Sequence, residues 1–160
     1  GAESAEFRLS ANPGEDLRPL AKVVSGGELS RTMLAVKATL AAVDRVPTMV
    51  FDEVDAGIGG RVADVVGQKL RQTAAGRQVL CVTHLAQIAA HAEQHLRVEK
   101  QVRRGRTVTT VTPLDERGRV EELARLLGGE RITDTTRGNA RELLRAARAA
   151  GNETRGRGVR

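Results

Sequence analysis

Aromatic residues are almost missing from this 160-residue sequence: it has no tryptophan or tyrosine, and its only phenylalanines are Phe7 and Phe51. That scarcity excludes the stacking platforms that hold single-stranded bases. Any nucleic-acid contact therefore has to be made to phosphates, sensitive to salt and indifferent to sequence. No apolar run approaches the roughly 20 residues of a membrane-spanning helix. The opening GAESAEFRLS has neither the basic start nor the apolar stretch of a signal peptide. The expectation is a soluble, cytoplasmic chain with no membrane partner. A lone cysteine, Cys81, makes no internal disulfide, which fits a reducing compartment, and its place inside QVLCV reads as core. Also absent is G-x-x-x-x-G-K-[ST], the loop whose backbone and lysine cradle nucleotide phosphates.

What the sequence has in excess is positive charge. The formal net charge is +6, and only four of the 26 basic residues are lysine. An arginine-rich balance suits a polyanion such as nucleic acid; a simply solvated surface explains it equally well. The length favours one domain, because a chain near 150 residues buries roughly 70% of its unfolded surface.

Along the chain, Glu6 to Ser10 reads as a short strand before the turn Asn12-Pro13-Gly14. After Ser25, apolar residues at Leu29, Met33, Val36, Leu40 and Val43 mark one stripe of an amphipathic helix, closed by Pro47. Thr48 to Phe51 reads as a buried strand. A helix from about Gly60 to Ala75 follows, with Gly76 as its stop, and then Gln78 to Val82 as a second interior strand. Strand, helix, strand is the unit of a parallel sheet. A short helix over 85–93, a hairpin of 96–102 with 107–112, and two closing helices complete the expected α/β architecture. The tail NETRGRGVR reads as basic and disordered.

Three stretches carry chemistry. VVSGGELSR opens the first helix, and a capping box of Ser25 with Glu28 explains two of its residues. It leaves Gly26 and Gly27 unexplained, since glycine costs about 1 kcal/mol relative to alanine in a helix. Bare backbone at a positive helix end would let phosphate approach closely. VFDEVDAGIGG places Asp52, Glu53 and Asp55 within four positions at the end of a strand. Crowded carboxylates raise one another's pKa unless a cation stands among them. Asp52 suits Mg²⁺ held together with nucleotide phosphates, and Glu53 is placed to orient or deprotonate an attacking water. An acidic loop capping the next helix is the simpler alternative. Finally, VTHLAQ ends the second strand with Thr83 and His84, and a neutral imidazole there would reach a terminal phosphate oxygen. A helix-entry histidine is the plainer reading, and His91 and His95 show no partners at metal-ligand spacing.

Taken in order, SGGE, VFDE, DAGIGG and THLAQ resemble the signature motif, Walker B strand, D-loop and switch-histidine loop of an ABC-type ATPase head. Glutamate in the signature and the segments VTHLAQIAAHA, HLRVEK and ELARLLGG resemble the SMC-like branch. The resemblance runs from about Phe7 to Ala147, and it implies the C-terminal lobe of such a head over residues 6–150. Residues 1–5 would be linker or extraneous, and 151–160 the tail. It implies ATP and Mg²⁺ as cofactors and ATP hydrolysis as the activity, incomplete without the missing glycine-lysine loop. Ser25, Gly26, Gly27 and Glu28 would meet the γ-phosphate bound on a second head. Asp52 would serve Mg²⁺, Glu53 would be the catalytic base, Asp55 would reach across the dimer interface, and His84 would sense the γ-phosphate. The implied partners are an N-terminal lobe of the same protein, a second copy of the head, and DNA at the nucleoid, in double-strand break repair and recombination. A transporter's nucleotide-binding subunit is the alternative; Glu28 and the polar hairpin argue against it. A DExD helicase fails on the absent aromatics, and a plain basic DNA-binding module leaves Asp52 and Glu53 unexplained. Arg97, Lys100, Arg103, Arg104 and Arg106 on the hairpin are the expected phosphate-facing patch.

Overall fold

The computed structural model describes residues 3–10, 14, 16–22, 25–40, 43, 46–103, 105–129 and 131–157. Strands β1 (Arg8–Leu9) and β2 (Arg18–Pro19) pair antiparallel at the start of the chain. Helix α1 (Gly26–Thr39) leads to β3 (Thr48–Phe51), helix α2 (Gly60–Thr73) crosses over, and β4 (Gln78–Cys81) returns beside β3. The two strands are parallel, in register from Thr48 opposite Gln78 to Phe51 opposite Cys81. Gly76, at φ +76°, makes the left-handed turn between α2 and β4 that a side chain would strain. A single turn, α3 (Ala86–Ala89), precedes the hairpin β5 (Leu96–Arg103) and β6 (Arg106–Pro113), and α4 (Glu116–Gly128) and α5 (Asp134–Arg157) close the chain.

Two apolar clusters hold this arrangement. Leu34 of α1, Met49 and Phe51 of β3, Val54 of the following loop, and Val66 and Leu70 of α2 form one, with Val79 and Cys81 of β4 against it. The other joins α3, α4 and α5 through Ala89, Leu123, Ala124, Ala140, Leu144 and Ala147. Its many alanines let helix axes approach closely, while Leu123 and Leu144 fill the space between them.

Four expectations need correction. First, β3 and β4 are covered on one face only: Met49, Phe51, Val79 and Cys81 point to the helices, whereas Val50, Leu80 and Val82 are exposed. A continuous apolar run implies cover on both faces, but a pair of strands with helices on one side supplies only half of it. Second, the stripe on α1 faces outward: Leu29, Met33 and Leu40 are exposed, and the helix buries Gly27 and Leu34. Periodicity marks a stripe without saying what covers it, and here the glycine side approaches the loop after β3. Third, α5 continues through Arg157, over most of the expected tail. Extending a formed helix needs no new nucleus, so polar residues can follow its register. Fourth, the first strand is shorter than Glu6 to Ser10, and Asn12 and Pro13 lie outside the described residues. Among the described residues no helix is long and apolar enough to cross a membrane.

Candidate functional site

The loop leaving β3 has its shape fixed from below. Val54 is fully buried in the first cluster and anchors the middle of the turn, a burial that contributes about 1.5–3 kcal/mol. Ala56 N–H donates to the Glu53 carbonyl at 3.0 Å, and Ile58 N–H to that of Asp55 at 3.3 Å. Asp52 Oδ1 accepts the Glu53 N–H at 2.9 Å. Glu53 itself has φ +57°, the sole non-glycine residue in the left-handed region among those described. That conformation costs a residue with a side chain about 1–2 kcal/mol and persists only where its surroundings hold it. Both Asp52 and Glu53 stay exposed at the strand end, on the side where open parallel sheets bind ligands.

Asp55 turns the opposite way. Its carboxylate is buried, and Oδ2 accepts from Thr83 Oγ1 at 2.6 Å, from His84 N–H at 2.9 Å and from His84 Nδ1 at 2.9 Å. Burial raises its pKa, but the Thr83 and His84 hydrogen bonds and the His84 charge together outweigh it, so the carboxyl sits below its ordinary value. Within this chain Asp55 faces the end of β4, because anchoring Val54 in the core swings the next side chain inward. The bond to Nδ1 orients the His84 ring and leaves Nε2 as the outward nitrogen, on a side chain that is 73% exposed. Beneath, burial and the charges of Asp55 and Asp52 push the Cys81 thiol up to about 12, which makes it an inert core residue.

The start of α1 closes the third side. Ser25 is the N-cap, its hydroxyl accepting the Glu28 N–H at 3.1 Å. A Cβ on Gly26 would run into the Glu53 carboxylate, and one on Gly27 would lie 2.8 Å from Ala56 Cβ and 3.0 Å from Ala56 O. Gly27 is therefore required by packing against the loop after β3, a reason that the sequence did not show, whereas at Gly26 only the movable end of the Glu53 side chain stands in the way. Sequence reasoning also passed over Ser30 and Arg31. Ser30 Oγ donates to the Asp52 carbonyl at 2.8 Å, and Arg31 Nη1 donates to Ala56 O at 2.7 Å and Val54 O at 3.3 Å. Their spacing from Gly27, three and four residues, places them on the same helix face and was the available signal.

The structure thus brings Ser25, Gly26, Gly27, Asp52, Glu53, Asp55 and His84 to one end of the β3/β4 pair. Among the described residues no group of three or more His, Cys, Asp or Glu side chains is arranged to hold a metal ion. Two exposed carboxylates fit Mg²⁺ held jointly with nucleotide phosphates, which needs only one or two protein ligands. The hairpin patch stands apart from this site. Arg97 is engaged by Glu99 and by the buried Glu122, and Arg103 donates to Gln101 Oε1 at 3.1 Å. Arg97 is thus paired within the chain, Arg104 lies outside the described residues, and Lys100 and Arg106 are exposed.

No protein-family model matches the chain. Among curated proteins it is 46% identical over 147 residues to the DNA repair protein RecN of Bacillus subtilis, covering 92% of this chain and 26% of that protein. The RecN of Xylella fastidiosa (strain Temecula1) is 52% identical over 144 residues, and that of Deinococcus radiodurans 55% identical over 144, each covering 90% of this chain. The chain resembles RecN. It spans about a quarter of the length of these relatives. Because the match to the Bacillus subtilis RecN covers 147 of the 160 residues, the candidate site between residues 25 and 84 lies within it. A solved structure from work on ATP-driven dimerization and DNA-stimulated activation of SMC ATPases overlaps with a TM-score of 0.47 at 21% identity, over 74% of this chain and 70% of that one. An overlap that loose adds nothing to the RecN likeness.

Proposed function

We propose that residues 6–150 form one lobe of an ATP-hydrolysing head in an SMC-like DNA repair protein, with ATP held between two such heads. The observation that carries this reading is the convergence of the α1 start, Asp52 with Glu53, and His84 at one end of a parallel strand pair. When bound, Mg²⁺ would neutralise charge on the phosphates, with Asp52 as its protein ligand. Glu53 accepts a proton from the attacking water, and the outward Nε2 of His84 meets the terminal phosphate oxygen. Asp55 holds the histidine in that orientation and keeps the proton on Nδ1. Ser25, Gly26, Gly27 and Glu28 present the N-terminal end of α1 to phosphate carried by a second head in the cytoplasm.

The phosphate-cradling loop comes, in this reading, from an N-terminal lobe of the same protein. The uncovered face of the strand pair, with Val50, Leu80 and Val82 exposed, supports such a neighbour. The net positive charge supports sequence-independent contact with DNA phosphates in double-strand break repair and recombination.

The test is Glu53→Gln in the complete protein. Glutamine keeps the size and loses the basic oxygen, so ATP binding should persist, turnover should stop, and light scattering should report a nucleotide-trapped head dimer. A variant that stays monomeric with ATP bound would remove the two-head arrangement.

A further inference from the structure

Ser30 and Arg31 sit one turn into α1, yet their hydrogen bonds leave the helix for the loop after β3. The three carbonyls they hold bracket Glu53: Asp52 on one side, Val54 and Ala56 on the other. Between them the chain adopts the left-handed conformation of Glu53, with the Ala56 N–H closing onto the Glu53 carbonyl. A serine hydroxyl and a planar guanidinium on a rigid helix fix the course of that loop. Arginine suits the second task because its several N–H donors diverge at set angles, whereas a lysine ammonium is a compact point donor. Both side chains donate to main-chain carbonyls, so their influence on chemistry runs through the main chain.

We infer that Ser30 and Arg31 are positioning residues for Glu53: they hold the main chain on both sides of it and tie the stance of the base to the start of α1. The inference rests on the reading of Glu53 as general base. Its consequence is that a displacement of Ser25–Gly27, the segment offered to the neighbouring head, is carried to Glu53 in the same chain. Occupancy of one nucleotide site would then bear on the base of the other.

The experiment uses the complete protein with ATP and Mg²⁺, and compares Ser30→Ala, Arg31→Lys and Arg31→Ala, each alone and combined with Glu53→Gln. Three quantities are read: kcat, ATP affinity from a fluorescent analogue, and hydrogen exchange of the amides of residues 53–58. We expect kcat to fall about tenfold to a hundredfold, the scale at which a displacement near 1 Å acts. Affinity should stay within about twofold, a change well under 1 kcal/mol. The Ala56 and Ile58 amides should exchange faster, with Glu53→Gln or without it, and Arg31→Lys should recover part of the loss. Unchanged exchange would overturn the clamp. Faster exchange with an unaltered kcat would overturn the positioning role, and so would an affinity loss parallel to kcat. Should Arg31→Ala fail to fold, Ser30→Ala and Arg31→Lys decide the question. Wild-type turnover by Glu53→Gln alone would instead end the base reading, and the exchange data distinguish the two failures because they do not depend on turnover.

Discussion

Alanine at Gly26 and at Gly27 is the same chemical change one residue apart, and the structure assigns the two substitutions opposite signs. Inside a helix the change gains about 0.5–1 kcal/mol, mostly because the unfolded chain loses freedom. At Gly26 the new methyl meets only the Glu53 carboxylate, the far end of a flexible side chain. Rotating that side chain away costs about 0.5 kcal/mol, so Gly26→Ala should leave stability equal or slightly higher. At Gly27 the methyl would lie 2.8 Å from Ala56 Cβ and 3.0 Å from Ala56 O, and the loop bearing them is tied down by Val54 and Arg31. Overpacking of that kind costs about 1–3 kcal/mol, which exceeds the gain and leaves a net loss of about 1–2 kcal/mol. Urea unfolding followed by circular dichroism separates the cases, provided the m-value is unchanged. Adding Ala56→Gly removes the methyl–methyl contact and should restore part of the Gly27→Ala loss. A Gly27→Ala protein as stable as the wild type would refute the close approach of α1 to this loop.

Other predictions concern the second cluster. Leu123 is fully buried between α4 and α5, so Leu123→Ala should lower stability by about 2–5 kcal/mol, read as a shift of the urea midpoint. His95 is held below its ordinary value of 6.5 by burial and then by the Arg119 charge, with Glu122 pulling the other way. The unfolded chain therefore takes up this proton first. Stability should be fully present above about pH 6.5 and fall as the pH drops through the folded value. His95→Gln should flatten the midpoint over that window, and an undiminished slope would show that other groups carry it.

Periodicity and punctuation made much of the fold legible. Helix α2 and strands β3 and β4 are bounded by Pro47, Gly60 and Gly76, and each fell close to its expected limits. What periodicity does not encode is the partner of a face. On α1, Leu29, Met33 and Leu40 pointed outward because the side bearing Gly27 and Leu34 is the one packed inward, and β4 proved half-covered because helices lie on one face of its sheet. Within the site, Asp52, Glu53 and His84 were visible as polar residues ending apolar strands. The links among them were not, because bonds from a hydroxyl or guanidinium to main-chain carbonyls leave no pattern of residue types. Asp55 shows the same limit. Its direction follows from where Val54 is buried, and only then does a carboxylate expected at an interface become the partner of Thr83 and His84.

The central claim is that this chain holds half of an ATP site with Glu53 as its base. Its most direct test is ATP hydrolysis by the chain co-expressed with a lobe bearing the phosphate-cradling loop, measured with duplex DNA present. The chain alone and the pair carrying Glu53→Gln serve as comparisons. The account predicts turnover by the wild-type pair and by neither comparison. Turnover by the chain alone, or a folded wild-type pair that stays inactive, would contradict it.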